Sequence, residues 1–219
     1  MKGKQFPPDR SHTMLEDTIF EHELFEDELE QVWIAAEAPS RDIAELLADL
    51  HTLKGAGFIT MLKEITQHRT FCPLEGESNI YTTDGKKDDD YDNLLNAARK
   101  AVEHGYKVYI LPNPKGIRTA DFIFERKGVY KMFDLKTIHG KTIVGSRLIE
   151  SIGQTNRVIL NMTTEYNTRL MAADVSMYFE TNSEALEVLI FKGKKMISIE
   201  RFDALHPSFY RLFKKRYEK

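Results

Sequence analysis

Two aspartates and a lysine stand in segments that otherwise consist of strand-forming residues. Asp121 precedes the run FIFER, and Asp134 and Lys136 lie within VYKMFDLKTI. A carboxylate in a half-buried strand is unfavourable by several kcal/mol unless a partner neutralises it. Because side chains alternate between the two faces of a strand, Asp134 and Lys136 share one face. These residue types at this spacing predict a site for a charged group that the chain itself does not supply.

A hairpin would bring the two aspartates together. Arg126, Lys127 and Gly128 form a turn signal between two strand-like runs. A loop centred there sets Asp121 opposite Asp134, with Cβ atoms about 4.5 to 5.5 Å apart. Two carboxylates this close repel each other unless a proton or a cation lies between them.

A divalent cation would resolve that repulsion. Aspartate oxygens suit Mg²⁺ or Mn²⁺, which keep several water ligands and accept phosphate oxygens. Such an ion can activate water for attack on a phosphodiester, and Lys136 would hold the water or the phosphate. A plainer interpretation is a surface hairpin whose acids are neutralised by Lys136 and Arg126, since D...DxK is a short and common pattern. The order of the surrounding elements favours the site.

Those elements alternate between helical and strand-like periods. The patterns predict a helix over YDNLLNAARKAVEHG, a strand over KVYIL, the two hairpin strands, a helix over SRLIESIGQ and a strand over RVILNM. Two strands, ALEVLIF and KKMISIE, and a helix over residues 208–219 follow. Helix, three strands, helix and strand make an α/β unit.

The chain is predicted to have three parts. Residues 1–75 form an acidic helical region, residues 76–90 a linker rich in turn-forming and charged residues, and residues 91–219 the α/β domain. In the first part, helices are expected over residues 21–36, after a cap at Ser40, and over residues 59–66, with breaks at Gly55 and Gly57.

Charge divides the chain as well. Residues 1–92 carry 9 Lys and Arg against 21 Asp and Glu, a net of −12, whereas residues 93–219 carry 22 against 13, a net of +9. A basic half suggests an anionic partner such as nucleic acid, which the acidic segment could screen. A domain whose charges happen to segregate is the plain alternative.

Composition argues against several other classes of protein. No apolar run approaches the length of a membrane span, and the first residues lack the apolar core of a signal peptide. Action in the cytoplasm is therefore expected, without excluding delivery to another cell. The lone Cys72 cannot form an internal disulfide or a cysteine-rich metal site.

The run of Asp121, Asp134, Leu135 and Lys136, on the second and third strands after a helix, resembles the PD-(D/E)XK nuclease signature. The longer string resembles, more narrowly, the C-terminal tRNA nuclease domain of CdiA contact-dependent inhibition toxins, over roughly residues 91–162. The matching parts are GY at 105–106, ADF at 120–122, DLK at 134–136 and Gln154 ahead of an apolar strand.

This resemblance implies a restriction-endonuclease-like core and metal-dependent cleavage of tRNA with Mg²⁺ or Mn²⁺. Asp121 and Asp134 would bind the metal, Lys136 would be catalytic and Gln154 would lie near the site. An immunity or regulatory protein is an implied partner. The superfamily often has a glutamate on the first helix, where this chain reads Asp90, Tyr91, Asp92 and Asn93.

Asp92 is therefore the candidate for a third metal ligand. If no third ligand exists, the domain could bind nucleic acid without cutting it. Phosphate contacts are predicted for Arg118, Lys141, Arg147, Ser151 and Arg157. Arg147, Ser151 and Gln154 would share one face of a helix. A DNA endonuclease of the same fold and a non-catalytic nucleic-acid-binding module remain the alternatives.

Two further patterns have plainer explanations. HTLKG at 51–55 resembles the phosphoacceptor box of histidine phosphotransfer domains, which need a four-helix bundle that the helix count does not provide. The tail FYRLFKKRYEK interleaves aromatic and basic residues as nucleic-acid binders do. Its aromatics also have helical spacing, which favours a docked helix with a solvated basic face.

Overall fold

One mixed sheet of eight strands carries the predicted site residues. The computed structural model describes residues 41–83, 90–140 and 142–218, and its strands lie side by side in chain order. They are β1 (Phe71–Pro73), β2 (Ile80–Thr83), β3 (Lys107–Ile110), β4 (Phe122–Arg126), β5 (Val129–Ile138), β6 (Arg157–Met162), β7 (Glu187–Lys192) and β8 (Lys195–Glu200).

The strand directions place β5 between two kinds of pairing. Strands β3, β4 and β5 are antiparallel to their neighbours in that series, whereas β5, β6 and β7 run parallel. The outer pairs β1 with β2 and β7 with β8 are antiparallel, and β2 runs parallel to β3. Parallel neighbours need crossover connections, and helices supply them.

Seven α-helices cover this sheet in the described ranges. They are α1 (Ile43–Asp49), α2 (Gly55–Gln67), α3 (Tyr91–Glu103), α4 (Val144–Glu150), α5 (Thr168–Thr181), α6 (Arg201–Ala204) and α7 (Phe209–Glu218). No helix in these ranges is both long enough and apolar enough to cross a membrane.

Alternation along β5 assigns the helices to the two faces of the sheet. Phe133 belongs to an apolar cluster with the alanines of α3, so α3 covers that face. Met132 belongs to a second cluster with the buried leucines of α1 and α2, on the opposite face. Ile138 belongs to a third cluster, formed with α4, α5 and α7. Since residues 132 and 138 are an even number apart, the second and third clusters share one face.

The α/β order predicted after residue 90 is confirmed. Helix α3, strands β3 to β6, the intervening helix α4 and the last two strands occupy their predicted segments. The fold is therefore a mixed α/β structure. Helix α4 ends at Glu150, so Ser151 to Gln154 form turns rather than the last turn of the predicted helix.

The region before residue 90 differs from the expectation. Asp42–Lys219 is one compact unit, and residues 80–83 of the predicted linker form β2, which pairs with β3. Gly57 lies inside α2, because the helix starts at Gly55 and buries Leu62 and Ile65. Asp42 caps α1 by accepting a hydrogen bond from the amide of Ala44 at 2.8 Å. The helix predicted over 21–36 and the Ser40 cap lie outside the described residues.

Helix α5 was not predicted. Its N-terminal cap is Asn167, whose side chain accepts hydrogen bonds from the amides of Arg169 and Leu170. Five residues of the helix are buried, yet Leu170 and Met177 are exposed. Apolar residues thus occur on both sides of the helix, which obscures the helical period in the sequence.

Leu148 and Ile149 on α4 give a matched pair of substitutions. Leu148 is fully buried against the sheet, whereas Ile149 is 61% exposed. We expect Leu148→Ala to lower the free energy of unfolding by about 2 to 5 kcal/mol, because it leaves a cavity. Ile149→Ala should change it by less than about 1 kcal/mol. Urea denaturation measures both, and equal losses would contradict the assigned packing of α4.

Candidate metal and nucleic-acid site

The register of the β4–β5 hairpin sets Asp121 opposite Asp134. Phe122 pairs with Phe133, and the amide of Asp121 donates to the carbonyl of Phe133 at 3.0 Å. The turn consists of Lys127 and Gly128, both with positive φ (52° and 77°). Two residues in this conformation suit the tight turn that joins antiparallel strands. The register predicted from the sequence is confirmed.

Asp134 is almost completely enclosed. It is 1% exposed, and Nζ of Lys136 lies 2.8 Å from its Oδ2. The ammonium group of Lys136 is therefore the positive partner of this buried carboxylate. One ammonium group beside two facing carboxylates leaves an excess of negative charge when both are ionised, which favours an additional cation or a proton.

Asp121 is fixed by the backbone of the facing strand. Its Oδ2 accepts a hydrogen bond from the amide of Leu135 at 2.6 Å. Burial, followed by the negative charge of Asp134, raises the pKa of Asp121 to about 7. The Leu135 hydrogen bond and the charge of Lys136 oppose this rise in pKa without cancelling it. In the absence of another cation, the two carboxyl groups lie side by side because the pair retains a proton up to about pH 7.

Burial also raises the pKa of Asp134, for the same physical reason. The charge and proximity of Lys136 oppose the increase, and the charge of Arg118 does so to a smaller extent. Arg118 comes from the loop between β3 and β4, so a third segment of the chain contributes to the electrostatics of the pair.

The pair lies between two apolar clusters on one face of β5. Met132 belongs to the cluster under α1 and α2, and Ile138 belongs to the cluster under α4, α5 and α7. Asp134 and Lys136 lie between them on the same face of β5. The side chain of Lys136 is 14% exposed and that of Asp134 is 2% exposed, so the ion pair contacts solvent mainly through the lysine.

The donor set fits Mg²⁺ or Mn²⁺. Two carboxylates lie side by side, and the ammonium group of Lys136 is paired with one of them. In the described part of the chain, no three His, Cys, Asp or Glu side chains form a group that could hold a metal ion. Mg²⁺ commonly uses one or two protein carboxylates and completes its shell with water and phosphate oxygens, so two carboxylates are sufficient in principle.

Two predicted site residues meet at the end of α4. Nη2 of Arg118 and Nε2 of Gln154 donate to the carbonyl of Glu150, at 3.1 and 3.3 Å. The charge of Arg118 opposes the rise in the pKa of Asp134 that burial causes. Gln154 shares a hydrogen-bond acceptor with Arg118, from a turn rather than from a helix.

Other predicted contacts are placed elsewhere. Ser151 is buried and donates to the carbonyl of Leu148 at 2.6 Å, so its hydroxyl is not presented to solvent. Arg147 is exposed and forms an ion pair with Glu150 at 2.7 Å. Lys141 lies outside the described residues.

Asp92 and Arg157 are separated from the pair by the sheet. Asp92 is exposed in the first turn of α3, which packs on the face opposite Asp134. Arg157 precedes Val158, the residue that pairs with Asp134, and therefore points to that other face. There its Nε lies 3.5 Å from Oε2 of Glu187.

Tyr178 is a neighbour of the site that the sequence did not indicate. It is 2% exposed, and Ser151 and Asn182 are the polar side chains near its hydroxyl. Burial raises the pKa of Tyr178, and the charge of Asp134 adds to that rise. The residue lies on α5, a helix whose mixed pattern hid it. Only recognition of the Asn167 cap could have revealed the helix from the sequence.

Comparisons with known proteins do not assign a family. No protein-family model matches the sequence, and no curated protein matches it significantly. A chain in the solved CdiA-CT/CdiI toxin and immunity complex from Burkholderia pseudomallei is similar in structure, with a TM-score of 0.40 and 14% identity. The alignment covers 55% of this chain and 98% of that one. A likeness at this level establishes neither a shared fold nor a shared activity.

The raised pKa of Asp121 predicts a pH dependence of stability in metal-free protein. The folded state keeps a proton up to about pH 7, whereas an unfolded aspartate releases it near 3.8. The free energy of unfolding should therefore decrease as pH rises between these values. Asp121→Asn keeps an acceptor for the Leu135 amide and removes the charge, so its profile should be flatter and its stability at pH 8 higher.

Urea denaturation at pH 5 and pH 8 in EDTA measures this effect. Asp203→Asn, on the exposed side of α6, is the matched control and should retain the wild-type dependence. Identical pH profiles for wild type and Asp121→Asn would contradict the coupled, buried pair.

Proposed function

We propose that this chain is a metal-dependent endonuclease that hydrolyses phosphodiester bonds in RNA, with tRNA as its substrate. The observation that supports this proposal is the pairing of the half-buried Asp121 with the buried Asp134, with Lys136 beside them. The choice of tRNA depends on the resemblance in sequence alone. An inhibitory immunity protein, implied by the same resemblance, belongs to the proposal as a partner.

The proposed chemistry assigns a task to each residue. Asp121 and Asp134 would hold Mg²⁺ or Mn²⁺, which when bound activates water and offsets negative charge on the phosphate. The amide of Leu135 keeps the Asp121 carboxylate oriented, because it donates to Oδ2. Nζ of Lys136 is close enough to Asp134 to turn towards an attacking water or a phosphate oxygen without leaving the site.

Positive charge next to the pair would favour a polyanion. Arg118 is exposed and held by the Glu150 carbonyl, so its guanidinium could contact a phosphate beside the scissile bond. Its charge also favours the ionised form of Asp134, which is the form that binds a cation.

A second candidate is a nucleic-acid-binding module without catalysis. It is favoured by one observation, namely that the described ranges contain no third carboxylate or imidazole to join the pair. Such a module would retain the basic surface and the affinity for nucleic acid while lacking metal-dependent cleavage.

The decisive experiment is cleavage of total tRNA and of plasmid DNA with Mg²⁺, Mn²⁺ or EDTA. We expect metal-dependent cleavage of tRNA by the wild type. Asp134→Asn and Lys136→Met should each reduce the rate by at least about 100-fold, because the first removes a proposed metal ligand and the second removes the ammonium group proposed to contact the water or the phosphate. Asp203→Asn and Lys63→Met, both at exposed positions, should cut at the wild-type rate.

Other outcomes separate the alternatives. Cleavage of DNA with the same dependence on metal and on Asp134 would show that the substrate is DNA rather than tRNA and would support the proposed metal-dependent chemistry. A folded wild-type protein that binds RNA but cuts neither polymer would favour the binding module. Cleavage that continues in EDTA would contradict the metal site.

A further inference from the structure

Helix α7 presents a basic face to solvent. Its aromatic residues Phe209, Phe213 and Tyr217 are buried in the cluster beneath it. The opposite side of the helix therefore faces solvent. An open depression there is lined by Arg211, Lys214, Lys215 and Glu218. The docked amphipathic helix expected from the sequence explains the aromatics but leaves these cations without a role.

The cations on this face repel one another. Arg211 is three residues from Lys214 and four from Lys215, the spacings at which like charges destabilise a helix. Lys214 approaches Glu218 at 3.9 Å, but Arg211 and Lys215 have no ion pair with any residue in the described ranges.

The helix dipole accounts for only part of this pattern. Cations in the last turn, such as Lys215 and Arg216, interact favourably with the negative end of the dipole. Arg211 lies in the first turn, where a cation is unfavourable and where α7 has no acidic residue. A stabilising effect on the helix therefore does not explain the whole face.

The hairpin between β7 and β8 adds to the same charge. Lys194 and Lys195 follow β7 at the turn, and Nζ of Lys192 lies 3.5 Å from the carbonyl of Tyr217, near the end of α7. Arg216 donates to the carbonyl of Ser198 in the edge strand at 3.1 Å. These contacts join the hairpin and the helix. Residues 192–218 hold 8 Lys and Arg against 3 Asp and Glu.

This surface lies on the same side of the sheet as the carboxylate pair. The buried face of α7 belongs to the cluster that includes Ile138 of β5. Strand β8 is three strands from β5, which corresponds to about 14 Å across the sheet.

We propose that Arg211, Lys214 and Lys215, with Lys194 and Lys195 of the hairpin, bind the phosphodiester backbone of a nucleic acid whose other part occupies the carboxylate site. This inference rests on the proposed function and extends it with a second contact surface. Tyr210, 43% exposed beside Arg211, provides an aromatic ring on which a base could stack. An acidic membrane surface fits less well, because the aromatic face of α7 is already buried in the core.

Binding of fluorescein-labelled tRNA, measured by anisotropy in EDTA, tests the surface without requiring cleavage. The variant is Arg211→Ala with Lys215→Ala, and the matched control is Lys63→Ala with Lys127→Ala, all at exposed positions. We expect the variant to bind on the order of tenfold more weakly at 100 mM salt. Its plot of log affinity against log salt should be shallower by about 2, since two phosphate contacts are lost.

The readouts separate this inference from the proposed function. The variant should cut a dinucleotide, which is too short to reach α7, at the wild-type rate. If wild type binds tRNA but cuts nothing, the nuclease proposal fails and the surface is still judged by anisotropy. Equal affinity and salt slope for wild type and variant would overturn the surface. The proposal would also be overturned if the variant lost binding to phosphatidylserine vesicles but bound tRNA as tightly as the wild type.

Discussion

Two carboxylates that face each other inside a folded protein are the constraint on which this structure depends. Like charges about 4 Å apart repel by roughly 4 kcal/mol at an effective dielectric constant near 20, and burial adds the loss of hydration. Three local features reduce this repulsion. The Leu135 amide donates a hydrogen bond to Asp121, the Lys136 ammonium lies beside Asp134, and the pair retains a proton. A divalent cation could replace this proton and neutralise the second negative charge of the pair.

The fold keeps the pair in place by surrounding it with rigid packing. The β4–β5 hairpin fixes the register between the two aspartates, and the apolar clusters on either side of the pair hold β5 against the helices. The last carbonyl of α4 accepts hydrogen bonds from both Arg118 and Gln154. The β3–β4 loop thus contributes a charged group, Arg118, and the turn after α4 contributes a neutral amide, Gln154.

The sequence predicted the parts of the site that depend on period and turn chemistry. Alternation placed Asp134 and Lys136 on one face, and the Lys127-Gly128 turn set the register with Asp121. Contacts that depend on tertiary packing were not accessible. The burial of Ser151, the position of Arg157 on the other face and the proximity of Tyr178 follow from how α4, α5 and α3 pack on the sheet. Strand β2 was hidden because its four residues lie inside a stretch rich in turn-forming and charged residues, which indicates a linker.

The central claim is that Asp121 and Asp134 together bind a divalent cation. Anomalous scattering from a crystal soaked in Mn²⁺ tests it most directly, because it locates the ion without depending on activity. The account predicts one strong peak within coordinating distance of both carboxyl groups in the wild type, and its absence in Asp134→Asn. A site with no peak in the wild type, and with Lys136 still paired to Asp134, would contradict the claim.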